Sequence, residues 1–175
     1  MIKKIKIILF LLVAFTIISC DPTNNNSFSF TAESNAQIYA PIKWTFSSQK
    51  TGEKEFELLL KAKIDKGWHL YSQNLPSADG PIATSFTFTP DKSFSLIGKV
   101  TEPKPVKEYD PNFMMDLFFF KDGVTFKQKV KITGEKTTVK GSLEYMVCDN
   151  EKCLPPETVE FSFDLLPGDK EIPDG

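Results

Sequence analysis

Histidine is almost absent. His69 is the sole one in 175 residues, which limits the acid–base chemistry this chain has to draw on. Cysteine is scarce too: there are three, an awkward number for a secreted protein, where thiols tend to pair. No apolar run is long enough to cross a bilayer, because the longest, from Ile7 to Ile18, has twelve residues where a spanning helix needs about 20. Basic charge is not in excess; a formal net charge of −2 and a pI near 5.5 argue against nucleic acid and against a basic membrane-binding face. No segment carries a helical apolar stripe, no internal repeat is visible, and no second domain boundary appears.

The N-terminus sets the compartment. Lys3, Lys4 and Lys6, then the short apolar centre, then Ser19 before Cys20, follow the pattern of a signal peptide over residues 1–19. Ile17-Ile18-Ser19-Cys20 resembles the lipobox of bacterial lipoproteins, with Ile17 where leucine is usual; the resemblance implies that Cys20 becomes the lipidated first residue of the mature chain. An ordinary secretory signal with an incidental Cys20 is the alternative. Two or more acyl chains on one residue anchor a protein stably to a membrane. Asp21 bears on which membrane keeps it, and inner against outer is left open. Lipid on Cys20 leaves Cys148 and Cys153 as an even pair in an oxidising compartment, where a disulfide is the expected resting state.

Residues 20–37 are polar and rich in Asn, Ser and Thr, and read as a tether; 38–167 read as one domain and 168–175 as a tail. Within the domain the dominant period is two. Phe56, Leu58, Leu60, Ala62 and Ile64 alternate with Glu57, Lys61 and Lys63; Val124 to Ile132, Val139 to Val147 and Val159 to Leu165 behave alike. Shorter runs lie at Ile42 to Phe46, Trp68 to Tyr71, Ser85 to Phe88, Phe94 to Val100 and Leu117 to Phe120. Sixteen phenylalanines add strand preference. Eight or nine short strands with Gly and Pro punctuation predict an all-β, antiparallel sandwich. Two long loops stand out, Gln73 to Pro81 and Thr101 to Met115. The second holds Tyr109, Phe113, Met114 and Met115, either as a binding or lid element or as the start of the next buried strand.

Cys148 and Cys153 sit at the seam between two alternating segments, with Pro155-Pro156 just beyond. A bridge closing only about six residues removes about 2 kcal/mol of unfolded-state entropy, against nearly 5 for a hundred-residue loop, so stability alone is a weak reason to place one here. Pairing Cys148 with Cys153 also opposes inward odd-numbered residues to outward even-numbered ones; Leu154 to Glu157 is where the phase is expected to be restored. Lys152 favours a Cys153 thiolate while Asp149, Glu151 and Glu157 oppose it. Zinc would be short of ligands with His69 distant, and a Cu(I) set would draw on Cys148, Cys153, Met114, Met115 and Met146; the metal-free reading is preferred. On these grounds a redox-active and a structural disulfide both remain open.

Cys148-Asp-Asn-Glu-Lys-Cys153-Leu-Pro155-Pro156-Glu157-Thr158, together with Gly67-Trp-His69-Leu-Tyr71-Ser-Gln and the Gly80 to Phe86 run, resembles the N-terminal periplasmic domain of the bacterial thiol:disulfide interchange family DsbD. The resemblance spans Ile38 to Leu165. It implies an immunoglobulin-like fold, no cofactor, and relay of reducing equivalents from a thioredoxin-like domain or a membrane thiol reductase to periplasmic thiol–disulfide proteins, among them disulfide isomerases and the thiol-reducing branch of cytochrome c maturation. By motif position Cys153 would form the mixed disulfide and Cys148 resolve it. Phe113 would belong to a cap loop shielding them, Tyr71 would be an aromatic neighbour, and His69 stands where some members have tyrosine.

Departures are equally specific. The family's cysteines are often one residue further apart, and its acidic pair before the cap phenylalanine is Pro111-Asn112 here, leaving Asp110 nearby. Full-length members continue into a membrane electron carrier and a thioredoxin-like domain, whereas this sequence ends at Gly175, so its electrons are expected from a separate protein. The competing class is a non-catalytic, lipid-anchored binding or assembly protein whose disulfide is structural, and enzyme status is left open.

Overall fold

The computed structural model describes residues 40–168, and no helix occurs among them. The signal peptide, Cys20, the tether, and residues 169–175 of the tail lie outside the described residues.

Among the described residues eleven strands form three antiparallel sheets. The first orders β1 (Ile42–Lys50), β2 (Glu55–Ile64), β8 (Gly123–Ile132) and β5 (Phe94–Thr101). The second orders β10 (Val147–Cys148), β3 (His69–Tyr71), β7 (Met115–Lys121) and β6 (Val106–Asp110). The third orders β11 (Glu157–Leu165), β9 (Thr137–Tyr145) and β4 (Ser85–Phe88).

Alternation explains the packing. Even-numbered residues of β2 and β8 face inward from the first sheet, odd-numbered residues of β9 and β11 from the third, and their rings interlock. Trp44 meets Tyr145 at 5.5 Å, Phe46 meets Phe161 at 5.8 Å and Phe86 meets Phe126 at 5.0 Å between centroids. Phe120 of β7 reaches the same core, 5.8 Å from Phe126, so the first sheet lies against both of the others. The one inward polar side chain of β8, Gln128, donates from Nε2 to the Ile97 carbonyl (3.1 Å) where β5 shifts register around Gly98 (φ +70°).

The segment from Thr101 to Met115 is not all loop. It contains β6, an edge strand paired to β7, whose first four residues are exposed. A solvated edge strand preceded by Pro103 and Pro105 carries no hydrophobic alternation and so leaves no period to read. Phe113 and Met114 belong to the turn that follows, and Met115 opens β7.

The second sheet, apart from its edge strand β6, is buried on both faces. Leu70, Phe120 and Val147 join the main core, while Tyr71, Leu117, Phe119 and Cys148 form a second, separate cluster on the other face. This is why β3 is three consecutive buried residues with no exposed one between them.

Candidate functional site

The cysteines occupy the point where the chain changes sheets. β9 ends at Tyr145 in the third sheet, Met146 interrupts the ladder, and Val147 and Cys148 pair with Leu70 and His69 in the second. The alternation then sends Val147 to the main core and Cys148 to the smaller cluster.

Cys148 and Cys153 are joined by a disulfide with Cα atoms 4.0 Å apart. Between them the chain closes on itself through Asp149, whose Oδ1 accepts the N–H groups of Glu151 and Lys152 at 2.8 Å each. Those backbone donors hold its carboxyl below the usual range. The phase problem is solved where expected. Tyr145 faces Glu157, odd with odd, whereas Cys148 bridges to Cys153, and the difference is two intervening residues on one side against Leu154, Pro155 and Pro156 on the other. Prolines suit that extra residue because the ladder is interrupted there, with the Leu154 N–H bonded back to the Val147 carbonyl (3.0 Å).

The two sulfurs differ in exposure. Cys148 is 0% exposed, while Cys153 is half-buried at the edge of the same cluster. Being bonded to one another, neither is a thiolate ligand, and among the described residues no group of three or more His, Cys, Asp or Glu side chains is gathered for a metal.

A turn and a loop wall the cluster in. The β6–β7 hairpin brings Asp110 opposite Met115 and turns through Pro111 to Met114, with Asp110 Oδ1 accepting the Asn112 N–H (2.8 Å) and Met114 in the left-handed region (φ 56°). Asn112 Nδ2 donates to the Asp149 carbonyl (2.8 Å), tying this turn to the cysteine loop. Phe113 packs on the cluster, edge-on to Tyr71 at 6.0 Å. On the other side, Leu75 covers the cluster from the loop after β3. The Glu102 carboxylate holds that loop, accepting from Ser72 Oγ (2.5 Å), the Gln73 N–H (3.0 Å) and Asn74 Nδ2 (3.2 Å).

Beneath the turn lies a buried polar triad. Asp110 Oδ2 accepts the Tyr71 hydroxyl (2.6 Å) and His69 Nε2–H (3.1 Å), and His69 Nε2 lies 3.2 Å from Tyr71 Oη. Burial lowers the His69 pKa, and Asp110 only partly offsets it, so the imidazole is neutral at neutral pH. For Asp110 burial acts to raise the pKa, but the bonds from Tyr71, the Asn112 N–H and His69 together outweigh it and hold the carboxyl below its ordinary value. Burial, then the bond to Asp110, pushes the Tyr71 phenol far up.

Cys148, Cys153, Phe113, Tyr71, His69 and Asp110 are thus brought to one place, while Pro155 and Pro156 are exposed in the bulge that follows Cys153. Leu117, Phe119 and Leu75 are parts of it that sequence reading missed, and Met146, considered there only as a copper ligand, packs on the same cluster; the signal was available in Leu117 to Phe120, an apolar run without alternation, as in a strand buried on both faces.

A family model described as thiol:disulfide interchange protein DsbD, N-terminal, matches residues 28–165. The chain belongs to this family. Among solved structures, the DsbD N-terminal domain of Neisseria meningitidis in the reduced form is similar at 16% identity, covering 74% of this chain and 92% of that one with a TM-score of 0.50. The N-terminal periplasmic domain of ScsB from Proteus mirabilis is similar at 17% identity, covering 74% of this chain and 47% of that one, with a TM-score of 0.53. No curated protein matches. At such identities the likeness speaks for the fold, and the DsbD-type sandwich of this chain is immunoglobulin-like.

Proposed function

We propose that this DsbD N-terminal-type domain is a thiol–disulfide exchange module of the bacterial envelope, facing the periplasm and anchored by lipid on Cys20. Cys153 meets the partner and Cys148 resolves. The observation that carries this reading is the unequal exposure of one disulfide, a half-buried Cys153 bonded to a fully buried Cys148.

Exchange runs by thiolate attack along the sulfur–sulfur axis. A donor thiolate, from a thioredoxin-like domain or a membrane thiol reductase, attacks Cys153 Sγ. The Cys148–Cys153 bond breaks, and Cys148 leaves as thiolate. The donor's second thiol then attacks the mixed disulfide, leaving the donor oxidised and this pair as a dithiol holding two electrons. In the forward step Cys153 attacks a periplasmic acceptor's disulfide, and Cys148 attacks Cys153 Sγ to release the acceptor reduced. Family resemblance puts disulfide isomerases and cytochrome c maturation among the acceptors. Cys148→Ala is expected to accumulate a mixed disulfide at Cys153 with a thioredoxin-like protein in the envelope, visible on non-reducing gels, while Cys153→Ala accumulates none. Absence of any Cys148→Ala adduct counts against exchange.

The complete burial of Cys148 favours a second reading, a structural bridge in a binding or assembly lipoprotein. The readings separate on reduction. An exchange module loses about 2 kcal/mol with its short loop opened and stays folded, whereas a structural staple would unfold when reduced.

Phe113 acts as the lid. Phe113→Ala is expected to speed reduction of the disulfide by dithiothreitol about tenfold, corresponding to some 1.4 kcal/mol of lost closure. Because Phe113 is only half-buried, global stability should change little. An unchanged reduction rate would remove Phe113 from this role.

A further inference from the structure

The chain's net charge of −2 conceals a segregated surface. The outward positions of β1, β2 and β8 are odd-numbered and carry six lysines, Lys43, Lys61, Lys63, Lys127, Lys129 and Lys131, against two acids, Glu55 and Glu57. Glu57 pairs with Lys127 (2.9 Å) and Glu55 with Lys131 (3.5 Å). Lys43, Lys61, Lys63 and Lys129 make no ion pair among the described residues. Glu102 and Asp122 border the face beside Lys61 and Lys63, but Glu102 is engaged by the loop after β3 and Asp122 makes no ion pair there. Lys43 even stands directly opposite Lys63 in the ladder, an arrangement that weakens a sheet rather than supporting it. Six exposed lysines against two acids leave the face positive, the sign that suits an anionic plane.

Position narrows the occupant. The first sheet turns its inner face to the main core, and across that core the second sheet contributes Leu70, Phe120 and Val147 while carrying Cys148 on its far face. The lysines and the cysteines therefore occupy opposite sides of the sandwich. The chain enters the domain at β1, an edge strand of the lysine-bearing sheet, and the 21 residues from Cys20 to Ala40 reach at most ~70 Å.

We propose that the outer face of the β1-β2-β8-β5 sheet docks on anionic phospholipid headgroups of the membrane that holds the anchor, turning Cys153 away from the bilayer. This rests on the lipid-anchor reading above. It adds the polybasic contribution that commonly accompanies acyl chains, and it suits a thioredoxin-like partner standing off the membrane.

The test uses full-length lipidated protein, purified from envelopes and reconstituted in vesicles of phosphatidylcholine alone or mixed with phosphatidylglycerol. Lysine acylation is followed residue by residue by mass spectrometry. Lys43, Lys61, Lys63 and Lys129 are expected to react ~5-fold or more slowly with phosphatidylglycerol present, Lys104 and Lys107 equally on both, and high salt to erase the difference. The triple variant Lys61→Gln, Lys63→Gln, Lys129→Gln should lose the protection of Lys43. Equal rates on both vesicles overturn the proposal, as does protection in native envelopes without protection on phosphatidylglycerol, which would assign the face to a protein. Protein that washes off phosphatidylcholine vesicles sinks the anchor alone. Its salt-sensitive flotation with phosphatidylglycerol vesicles, lost in the triple variant, would then still establish the face, and failure to float would overturn it.

Discussion

Gly141→Ala is expected to destabilise the domain by about 3 kcal/mol or more, lowering the melting temperature by roughly 10 °C. Gly141 lies in β9, the middle strand of the third sheet, between Phe88 of β4 and Phe161 of β11. A β-carbon built there falls 2.3 Å from the Thr87 carbonyl oxygen and 2.6 Å from Cζ of Phe161. Neither neighbour can give. The carbonyl belongs to the backbone of the adjacent strand, and the Phe161 ring is held by Phe46 at 5.8 Å, Phe88 at 5.2 Å and Phe163 at 5.7 Å. The entropy gained by replacing a strand glycine, about 0.5–1 kcal/mol, does not offset that crowding. A thermal melt within ~2 °C of the parent would show that the sheet relaxes around a methyl group and that the ring is not fixed.

Gly141 also marks the limit of what alternation reveals. Val139, Leu143 and Tyr145 announce an inward face, and β2, β8 and β11 are equally plain, because each is buried on one side and wet on the other. The sandwich was legible for that reason. Whether an inward glycine is a gap or a seat for a cross-strand ring depends on which strand comes to lie beside it, and sequence period does not carry that information. β6 was hidden because it is solvated along most of its length, and β10 because two residues carry no period at all. In the site, the bulge at Leu154 to Pro156 was legible as a conflict of phase. The segregated lysines were visible one by one as the polar half of each strand, but only the order β1-β2-β8 gathers them on one surface. The contact of Asp110 with His69 and Tyr71 was not legible either, since it joins residues 41 and 39 positions apart across the β3-β7-β6 sheet.

That contact predicts the larger effect at the site. Asp110→Asn is expected to cost about 3 kcal/mol and to accelerate reduction of Cys148–Cys153 by dithiothreitol about a hundredfold. The carboxylate accepts from the Tyr71 hydroxyl, His69 Nε2 and the Asn112 N–H, and bonds to a charged acceptor are the strong ones. An amide of the same shape accepts at one atom and presents a second donor to groups that already donate. The turn carrying Phe113 is attached at its base through Asp110 and at its side through Asn112 to the cysteine loop, so loosening the first frees the cover over the disulfide. The pH dependence follows with a definite sign. The folded pKa of His69 is depressed below 6.5, so as pH falls from that value the unfolded chain takes up a proton the folded chain refuses, and stability declines. The folded pKa of Asp110 is depressed below 3.8, so its contribution is full above 3.8 and is lost as pH falls through the lower folded value. Acidification therefore weakens the closed turn in two stages, the first due to His69 and the second to Asp110. Asp110→Asn should abolish the second stage and, by removing the carboxylate that raises the His69 pKa, extend the first to lower pH. Reduction rates and melting temperatures measured across the acid range would decide it, and a variant whose rate stays within twofold of the parent would mean that the triad holds the core together without governing access to Cys153.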